Sequence, residues 1–237
     1  VLNTREDPRR ELEGLNALTS GLVDGLIVAS AMTDCQQLSA AIPKGFPVVL
    51  ADRQLPGAPY DTVYVSSYSA MRMGVDYLIR KGHRKIGFLT GIHSISTTSD
   101  RRKGYQDAMD AAGLSTEHLI RAGTSSTKLQ AENLDALLEL GCTALAISNN
   151  VLTVEARILL GKRGLSVPKD IELLGFLDSD HAQYGLQKVS LISQPTAELG
   201  RTAGKLLLSR MRSPKAPLQN VILQAAFMPV EQSKLIF

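Results

Sequence analysis

Short apolar runs alternate with helix-length segments along almost the whole chain, and this alternation limits the possible folds more than any other feature. An apolar run bounded by turn residues is typical of a strand that is covered on both faces of a parallel sheet. Strands that alternate with helices predict an α/β protein with parallel sheets and helices on both faces. The predicted strands are residues 23–29, 47–52, 62–65, 86–90, 143–147, 171–176, 190–193 and 221–228.

So many strand–helix repeats exceed one modest sheet, and the 237 residues are therefore predicted to form two Rossmann-like lobes. The helix predicted over residues 66–81 begins the second lobe, and the chain crosses back near Gln194. The N-terminal lobe is predicted to comprise residues 1–65 and 194–218, and the C-terminal lobe residues 66–193 and 219–237.

The stretch from residue 75 to residue 109 contains the first candidate for a ligand site. Gly82 ends a helix there, since glycine adopts the left-handed conformation without steric cost. A strand follows, and then a loop rich in Ser and Thr over residues 91–100 leads to Arg101 at the start of the next helix. Ligand sites in open α/β sheets form beyond the carboxyl ends of parallel strands. Arg101 is therefore a candidate ligand residue, and an exposed arginine at a helix start is the alternative.

Charge and cysteine content exclude several classes of function. The 26 basic and 23 acidic residues give a net charge of +3, and the basic cluster at residues 101–103 is too short to form a nucleic-acid-binding face. Cys35 and Cys142 have no CxxC or His-rich motif near them, so we expect neither a disulfide framework nor a zinc site. No apolar run approaches the ~18 residues of a membrane span. We expect no cofactor and a cytoplasmic location.

Catalytic motifs are absent from the sequence. It contains no GxSxG, HExxH, P-loop or GxGxxG motif, and none of the four histidines has a partner motif. His83 lies in a turn and is interpreted as structural. The acidic residues before His181 are interpreted as a polar helix start rather than as a metal site. We therefore expect that the protein is not an enzyme.

An ordered set of motifs covers almost the whole chain. In chain order, the motifs are VDGLI (23–27), PVV (47–49), DR (52–53), GHRKIGFLTG (82–91), RxxGYxxA (101–108), GLxVPxDI (164–171), GFxD (175–178) and QPxxELG (194–200). This set resembles the effector-binding core of LacI/GalR-family bacterial transcription regulators, and the resemblance implies a periplasmic-binding-protein-like fold of type I. The GHRKIGFLTG and QPxxELG motifs favour the regulators over the transport proteins that share this fold.

The resemblance also implies segments that these residues do not contain. Family members begin with a DNA-binding headpiece and a hinge helix, which are followed by the first strand and helix of the N-terminal lobe. This chain begins at what is interpreted as the end of that lobe's second strand, residues 1–3. We therefore expect that the first βα unit of the N-terminal lobe is missing and that the residues are part of a longer protein. Operator DNA, bound through the absent headpiece, and a second copy of the chain in a homodimer are the implied partners.

Four residues match positions at which the family places polar groups in the cleft between the lobes. Arg101 matches the family's cleft arginine, whose planar guanidinium can bind two oxygen atoms at once. Asn149 matches the first residue of an Asn-Asp pair, and a turn-forming role is its alternative. Asp52 follows a strand and either contacts the ligand or caps the next turn. Gln194 either contacts the ligand or serves a hinge. Weaker candidates are Ser99, Ser125 and Asp178.

Departures from the family pattern affect the expected effector. Leu177 takes the first position of an Asp-Asp pair whose first carboxylate often binds the ligand, so a sugar would lose a charge-assisted acceptor. Asn150 replaces the second residue of the Asn-Asp pair, and Glu155 stands where glycine is usual. The sequence also has no Trp. The resemblance therefore implies a small-molecule effector that is a sugar, a sugar derivative or a small anion.

These features together predict the effector-sensing, dimerising core of a LacI-type repressor. The resemblance implies that a small molecule bound between the lobes favours one lobe arrangement and so changes DNA affinity allosterically. A solute-binding protein of a transporter, which shares the fold but has no role on DNA, is the alternative.

Overall fold

The structure, a computed structural model of the chain, describes residues 1–91, 95–123, 131–177 and 188–230. Seven helices and ten strands lie within these residues and alternate along them, which confirms the predicted α/β class with parallel sheets. None of these helices combines the length and the apolar character that crossing a membrane requires. In chain order, the elements are α1 (Pro8–Thr19), β1 (Leu26–Val28), α2 (Cys35–Ala40), β2 (Val48–Ala51), β3 (Asp61–Val65), α3 (Ser67–Arg80), β4 (Ile86–Thr90), α4 (Ser96–Ala111), β5 (Ile120–Ala122), α5 (Ala131–Glu139), β6 (Ala144–Ile147), α6 (Asn150–Lys162), β7 (Glu172–Leu177), β8 (Ser190–Ser193), α7 (Thr196–Arg212), β9 (Asn220–Leu223) and β10 (Ala226–Met228).

Contacts between residues divide the chain into two compact units, which are described separately. The first unit comprises Val1–Val65, Ile95–Thr97 and Thr196–Leu223, and the second comprises the described residues of Ser66–Ser94, Thr98–Pro195 and Gln224–Phe237.

The strand predicted over residues 221–228 is two strands in the structure. β9 pairs in parallel with β3 in the sheet of the first unit, whereas β10 pairs antiparallel with β8 in the second unit. The structure places residues 219–223 in the first unit, whereas the predicted division assigns them to the C-terminal lobe. The run contains no glycine or proline, so its break has no local signal and depends on which neighbouring strand each half pairs with.

The sheet of the first unit has four parallel strands in the order β1-β2-β3-β9. α7 packs on one face of this sheet, where Ala203 and Leu206 form a buried cluster with Val49 and Val63. The apolar residues of α1 and α2 belong to a separate cluster with β1 and β2. Helices therefore lie on both sides of the sheet, as the strand–helix alternation predicts.

The start of α1 confirms the capping pattern read from the sequence. The Asp7 carboxylate accepts a hydrogen bond from the Arg9 amide at 2.8 Å, and Pro8 is the first helical residue, where it has no amide hydrogen to leave unpaired. Residues 1–3, predicted as the end of a strand, are not in a strand.

The second unit contains a six-stranded sheet in the order β10-β8-β7-β6-β4-β5, which is parallel except for β10. Every residue of β4, β6 and β7 is buried, as their continuous apolar runs predict. A Cβ on Gly74 of α3 would lie 2.7 Å from Leu174, and a Cβ on Gly175 would lie 2.3 Å from Thr153 of α6. Because Leu174 and Gly175 point to opposite faces, α3 and α6 cover opposite faces of this sheet.

The N-terminus of α4 corrects one sequence-based expectation. The helix begins at Ser96, so the loop predicted over residues 91–100 is shorter than expected. Arg101 consequently lies in the second turn of α4 rather than at its first residue. The Ser/Thr-rich composition that suggested a loop is tolerated in a helix whose inner face packs against other elements.

Close packing fixes the face of α4 that meets the sheet of the second unit. A Cβ on Gly104 would lie 2.4 Å from the carbonyl oxygen of Tyr68 in α3, so only glycine allows this approach of the two helices. Tyr105 stacks on Phe88 of β4, with ring centroids 4.9 Å apart. Arg101 precedes Tyr105 by four residues and therefore lies on the same side of α4.

A buried ion pair joins three elements of the first unit. The two carboxylate oxygens of Asp61, at the start of β3, accept hydrogen bonds from Arg210 Nε and Nη2 of α7, both at 2.8 Å. The same carboxylate accepts a bond from the Gln219 amide before β9 at 2.8 Å. Burial raises the pKa of Asp61, but the hydrogen bonds from Arg210 and Gln219 outweigh this and leave the pKa below its ordinary value.

Replacement of this carboxylate is expected to destabilise the first unit in a pH-dependent way. A lowered pKa means that the ion pair stabilises the fold above a pH of about 4 and that this stabilisation is lost as the pH falls through the folded-state pKa. Asp61→Asn should therefore lower the free energy of unfolding by about 3 kcal/mol at neutral pH, as breaking a buried pair does. The difference from the wild type should shrink as the pH falls from about 4 through the folded-state pKa, because Asp61 is then protonated and the side chain at this position carries no charge in either protein.

Urea unfolding at a series of pH values measures this effect. Asp107→Asn is the control, since Asp107 pairs with the exposed Lys103 at 2.5 Å and a surface pair contributes less than about 1 kcal/mol. An equal loss of stability in both variants would contradict the assignment of the Asp61 pair as structural.

Candidate functional site

Polar residues end the parallel strands of the second unit. Thr90 is the last residue of β4, Ser148 directly follows β6, and Gln194 directly follows β8. Parallel strands have their carboxyl ends at one edge of the sheet, which is called the carboxyl edge below. In α/β proteins this edge is where ligands bind.

Strand register places several of these side chains on one face of the sheet. The last paired residues are Leu89 with Ile147 and Ala146 with Leu174. If the same register continues toward the carboxyl edge, Thr90 lies beside Ser148, and Ser148 lies beside Phe176. Side chains alternate between faces along a strand, so these three share a face with Phe88, on which Tyr105 of α4 stacks. α4 therefore covers the face that carries Thr90, Ser148 and Phe176.

Arg101 extends from α4 onto this face and is buried, with 6% of its surface exposed. Its guanidinium carbon lies 3.9 Å from the centroid of the Phe176 ring. Nη1 donates a hydrogen bond to the Ser148 carbonyl at 2.6 Å, and Nε donates to Ser67 Oγ at 3.3 Å. Buried charges need such partners because desolvation is costly. The alternative of an exposed arginine at a helix start therefore does not describe Arg101.

Three side-chain atoms at the carboxyl edge are buried without a hydrogen-bond partner among the described residues. They are Thr90 Oγ1, Ser148 Oγ and Gln194 Nε2. Buried polar atoms are normally paired, and one that is not requires an explanation such as a bound ligand or an ordered water. Gln194 was predicted as a ligand or hinge residue, and its unsatisfied amide hydrogen atoms are the first structural observation that bears on this choice.

Thr90 and Ser148 were not predicted as site residues, nor were Ser67 and Phe176. A weak signal for the first two exists in the sequence, because each hydroxyl residue directly ends an apolar strand. Nothing in the sequence shows that the hydroxyl groups are unsatisfied, since that depends on what packs around them. Arg101 contacts Ser67 and Phe176, which lie 34 and 75 positions away in the sequence. No local sequence pattern predicts contacts over such separations.

Asn149 caps α6, which supports the structural interpretation of this residue. Its Oδ1 accepts a hydrogen bond from the Leu152 amide at 2.9 Å, and its backbone is extended with φ of −154°. An N-cap side chain satisfies one of the amide groups that the first helical turn leaves unpaired. A contact between Asn149 and a ligand stays a prediction.

Asp52 occupies a tight turn after β2. Its φ is 69°, in the left-handed region that aspartate tolerates better than most residues, and the Arg53 amide donates to the Ala51 carbonyl across it at 2.8 Å. The Asp52 amide donates to the Val63 carbonyl at 2.9 Å. These bonds give Asp52 a structural role in the first unit, whereas its role toward a ligand is untested.

The remaining predicted residues contribute less. Ser99 lies in α4 and is exposed. Ser125 and Asp178 lie outside the described residues. Leu177 is buried with 2% of its surface exposed, so this position supplies an apolar contact. Burial raises the pKa of Asp100, next to Arg101, and the positive charge of Arg101 offsets part of this rise.

A second polar cluster, which was not predicted, lies after β1 and β2 in the first unit. Glu11 is buried, and its Oε2 accepts a hydrogen bond from the Ala31 amide at 2.7 Å. Arg53 pairs with Glu6 and donates to the Ser30 carbonyl at 3.4 Å. Glu11 Oε1 and Arg53 Nε are buried without a hydrogen-bond partner in the described part of the chain. Arg53 Nε also forms an ion pair with Asp52 Oδ2 at 4.0 Å, so within the described residues the clearest unsatisfied group of this cluster is the Glu11 oxygen.

The described residues contain no group of three or more His, Cys, Asp or Glu side chains that could hold a metal ion. The described groups at the carboxyl edge supply hydrogen bonds and the positive charge of Arg101. Such groups bind and orient a small polar molecule.

Comparison with known proteins identifies the family. The periplasmic binding protein-like domain matches residues 75–229, and the chain belongs to this family. It is 30% identical over 217 residues to the HTH-type transcriptional repressor PurR of Haemophilus influenzae (strain PittEE), which covers 89% of this chain and 64% of the relative. It is 28% identical over 228 residues to the ribose operon repressor of Haemophilus influenzae (strain ATCC 51907 / DSM 11121 / KW20 / Rd), with coverage of 94% and 68%.

A solved structure gives the same assignment. The putative ribose operon repressor of Burkholderia thailandensis superposes with a TM-score of 0.83 at 29% identity and covers 96% of this chain and 85% of that chain. The resemblance to LacI/GalR-type regulators is therefore confirmed, and these relatives are transcriptional regulators rather than enzymes. The chain spans between 61% and 68% of the length of the curated relatives that it matches.

The capping role of Asn149 can be separated from a role in ligand binding. Asn149→Ala should lower the free energy of unfolding by about 1 kcal/mol, because the cap to the Leu152 amide is lost. Asn149→Asp keeps an oxygen at the same position and should match the wild type. Unfolding in urea measures both variants, and an alanine variant as stable as the wild type would contradict the capping role.

Proposed function

We propose that this chain is the effector-sensing and dimerising core of a LacI-type DNA-binding transcriptional repressor. The observation that carries the proposal is that the Arg101 guanidinium is buried at the carboxyl edge, where the side-chain amide nitrogen of Gln194 has no hydrogen-bond partner among the described residues. A buried cation together with an unsatisfied donor is the arrangement expected of a site that awaits a polar ligand.

The chemistry of the edge favours a small hydroxylated effector. A guanidinium and an amide both donate hydrogen bonds to oxygen atoms, and the Phe176 ring presents an apolar surface beside them. Two of the relatives above are named as ribose operon repressors, which supports a sugar or sugar derivative as effector. A small anion would use the same donors. The predicted location of the effector between the lobes stays a prediction.

The proposed mechanism is a shift between conformations. The effector binds one conformation of the protein more tightly than another, and the difference in affinity changes how a homodimer presents its DNA-binding headpieces. Coupling of this kind is typically worth ~1–3 kcal/mol. The headpieces and the operator DNA belong to the proposal and rest on the relatives, which are named as repressors. These names support a cytoplasmic regulator over the solute-binding alternative.

Loss of the Gln194 amide is expected to weaken sugar binding without loss of stability. Leucine has a volume similar to that of glutamine, and Gln194→Leu removes a donor that has no partner in the described ranges. Only the complex should therefore lose a hydrogen bond. Isothermal titration calorimetry with D-ribose, D-glucose, D-galactose and cellobiose, together with D-ribose 5-phosphate, should identify a ligand of the wild type. The variant should bind that ligand about tenfold more weakly.

Gln224→Leu is the matched control, since Gln224 is exposed in the same unit. Its affinity should equal that of the wild type. Unchanged affinity in Gln194→Leu would remove Gln194 from the site, and a large fall in its melting temperature would favour the hinge role. A wild type that binds none of these compounds would contradict a sugar-sensing core.

The complete protein should couple effector binding to DNA binding. Fluorescence anisotropy with DNA from upstream of its own gene should show an affinity that changes about 5- to 150-fold when the identified effector is added. Sedimentation should give two chains for each DNA duplex. A complete protein that binds sugar as a monomer and does not bind DNA would instead support the solute-binding alternative.

A further inference from the structure

Thr90 and Ser148 stand out among the buried hydroxyl residues of the second unit. Both have 1% of their surface exposed, and their hydroxyl oxygens have no hydrogen-bond partner in the described ranges. Two other buried hydroxyls of the same unit are fully engaged. Thr153 Oγ1 donates to the Asn149 carbonyl at 2.6 Å, and Ser190 Oγ accepts from the Val230 amide at 3.2 Å.

The two unsatisfied hydroxyls lie next to each other. The register of β4 and β6 places Thr90 beside Ser148 on the same face, and neighbouring strands are about 4.8 Å apart. The preceding residues of that face are apolar on both strands: Phe88 on β4 and Ala146 on β6. Polar side chains thus replace apolar ones only at the last position before the carboxyl edge.

Fold stability does not explain this replacement. A buried hydroxyl without a partner costs stability, and alanine or valine would fill the same space without that cost. Both backbone groups of Ser148 form hydrogen bonds: its amide donates to the Leu89 carbonyl at 2.9 Å, and its carbonyl accepts from Arg101 Nη1 at 2.6 Å. The side-chain hydroxyl is therefore held in place beside a guanidinium and remains available.

We propose that Thr90 and Ser148 form a hydroxyl subsite that binds one hydroxyl group of the effector. This inference rests on the proposed function. A serine or threonine hydroxyl can donate one hydrogen bond and accept others, and so can an alcohol. An effector hydroxyl placed between them can donate to one side chain and accept from the other, which satisfies both. The subsite thus selects a polyol that retains a hydroxyl at the position facing β4 and β6.

Selection by this subsite should be strict at one position of the sugar. A site built to hydrogen-bond a hydroxyl rejects the analogue that lacks it, because the protein groups are then left unpaired. Among the monodeoxy analogues of a sugar that binds the wild type, one should bind at least about tenfold more weakly than the others. The Thr90→Val and Ser148→Ala variants should lose this discrimination, since they no longer present the hydroxyls.

The test compares Thr90→Val and Ser148→Ala with Ser190→Ala. Ser190 is a buried serine of the same sheet whose hydroxyl is satisfied, so its replacement should lower the melting temperature and leave sugar affinity unchanged. Thr90→Val and Ser148→Ala should show the opposite pattern: a melting temperature equal to or above that of the wild type, and an affinity reduced about tenfold. The probes are D-ribose, D-glucose, D-galactose and cellobiose, followed by the monodeoxy analogues of whichever sugar binds.

Each outcome decides the proposal. Wild-type sugar affinity in both variants overturns the subsite, since its hydroxyls then bind only water, while the proposed function stands. Lower melting temperatures in both variants also overturn it, because the hydroxyls then serve the fold. A wild type that binds none of these sugars overturns the subsite, whereas the proposed function would then stand only with an effector of another class, such as a small anion. Weakened binding with intact stability in both variants supports the subsite.

Discussion

The guanidinium of Arg101 needs partners in a place from which water is excluded, and much of the second unit is arranged to supply them. The charge lies against the ring of Phe176 and donates to a backbone carbonyl at the end of β6 and to Ser67 at the start of α3. An isolated buried charge would cost several kcal/mol, so the position of α4 relative to the sheet is tightly constrained. Gly104 permits this position, because any larger residue would collide with the backbone of α3.

The buried polar groups at the two edges of the sheet in the second unit differ in whether they have hydrogen-bond partners. At the amino edge, Glu172 is buried and accepts from Lys81 Nζ at 2.6 Å, from Ser190 Oγ at 3.4 Å and, depending on the tautomer, interacts with His83 Nε2 at 3.2 Å. Every one of these groups has a partner. At the carboxyl edge, Thr90 and Gln194 contain polar atoms without one in the described structure. A satisfied network stabilises a fold, whereas an unsatisfied one is suited to binding.

The burial of Leu177 is consistent with this distribution of groups. Leu177 is buried and apolar, so it contributes no acceptor at the carboxyl edge. Among the described residues, this edge presents a guanidinium, the side-chain amide of Gln194 and two hydroxyls, and the amide and the hydroxyls can each donate and accept hydrogen bonds.

The sequence by itself determined the α/β class, the parallel sheets and the family, because hydrophobic periodicity and ordered motifs are local properties of the chain. It also predicted Arg101 and Gln194 as ligand residues, and their contact with a ligand stays a prediction. Only the tertiary structure decided that residues 221–228 divide between two sheets and that Arg101 is buried against Phe176. The tertiary structure alone also revealed Thr90 and Ser148, since a hydroxyl is satisfied or unsatisfied according to distant neighbours that no local pattern specifies.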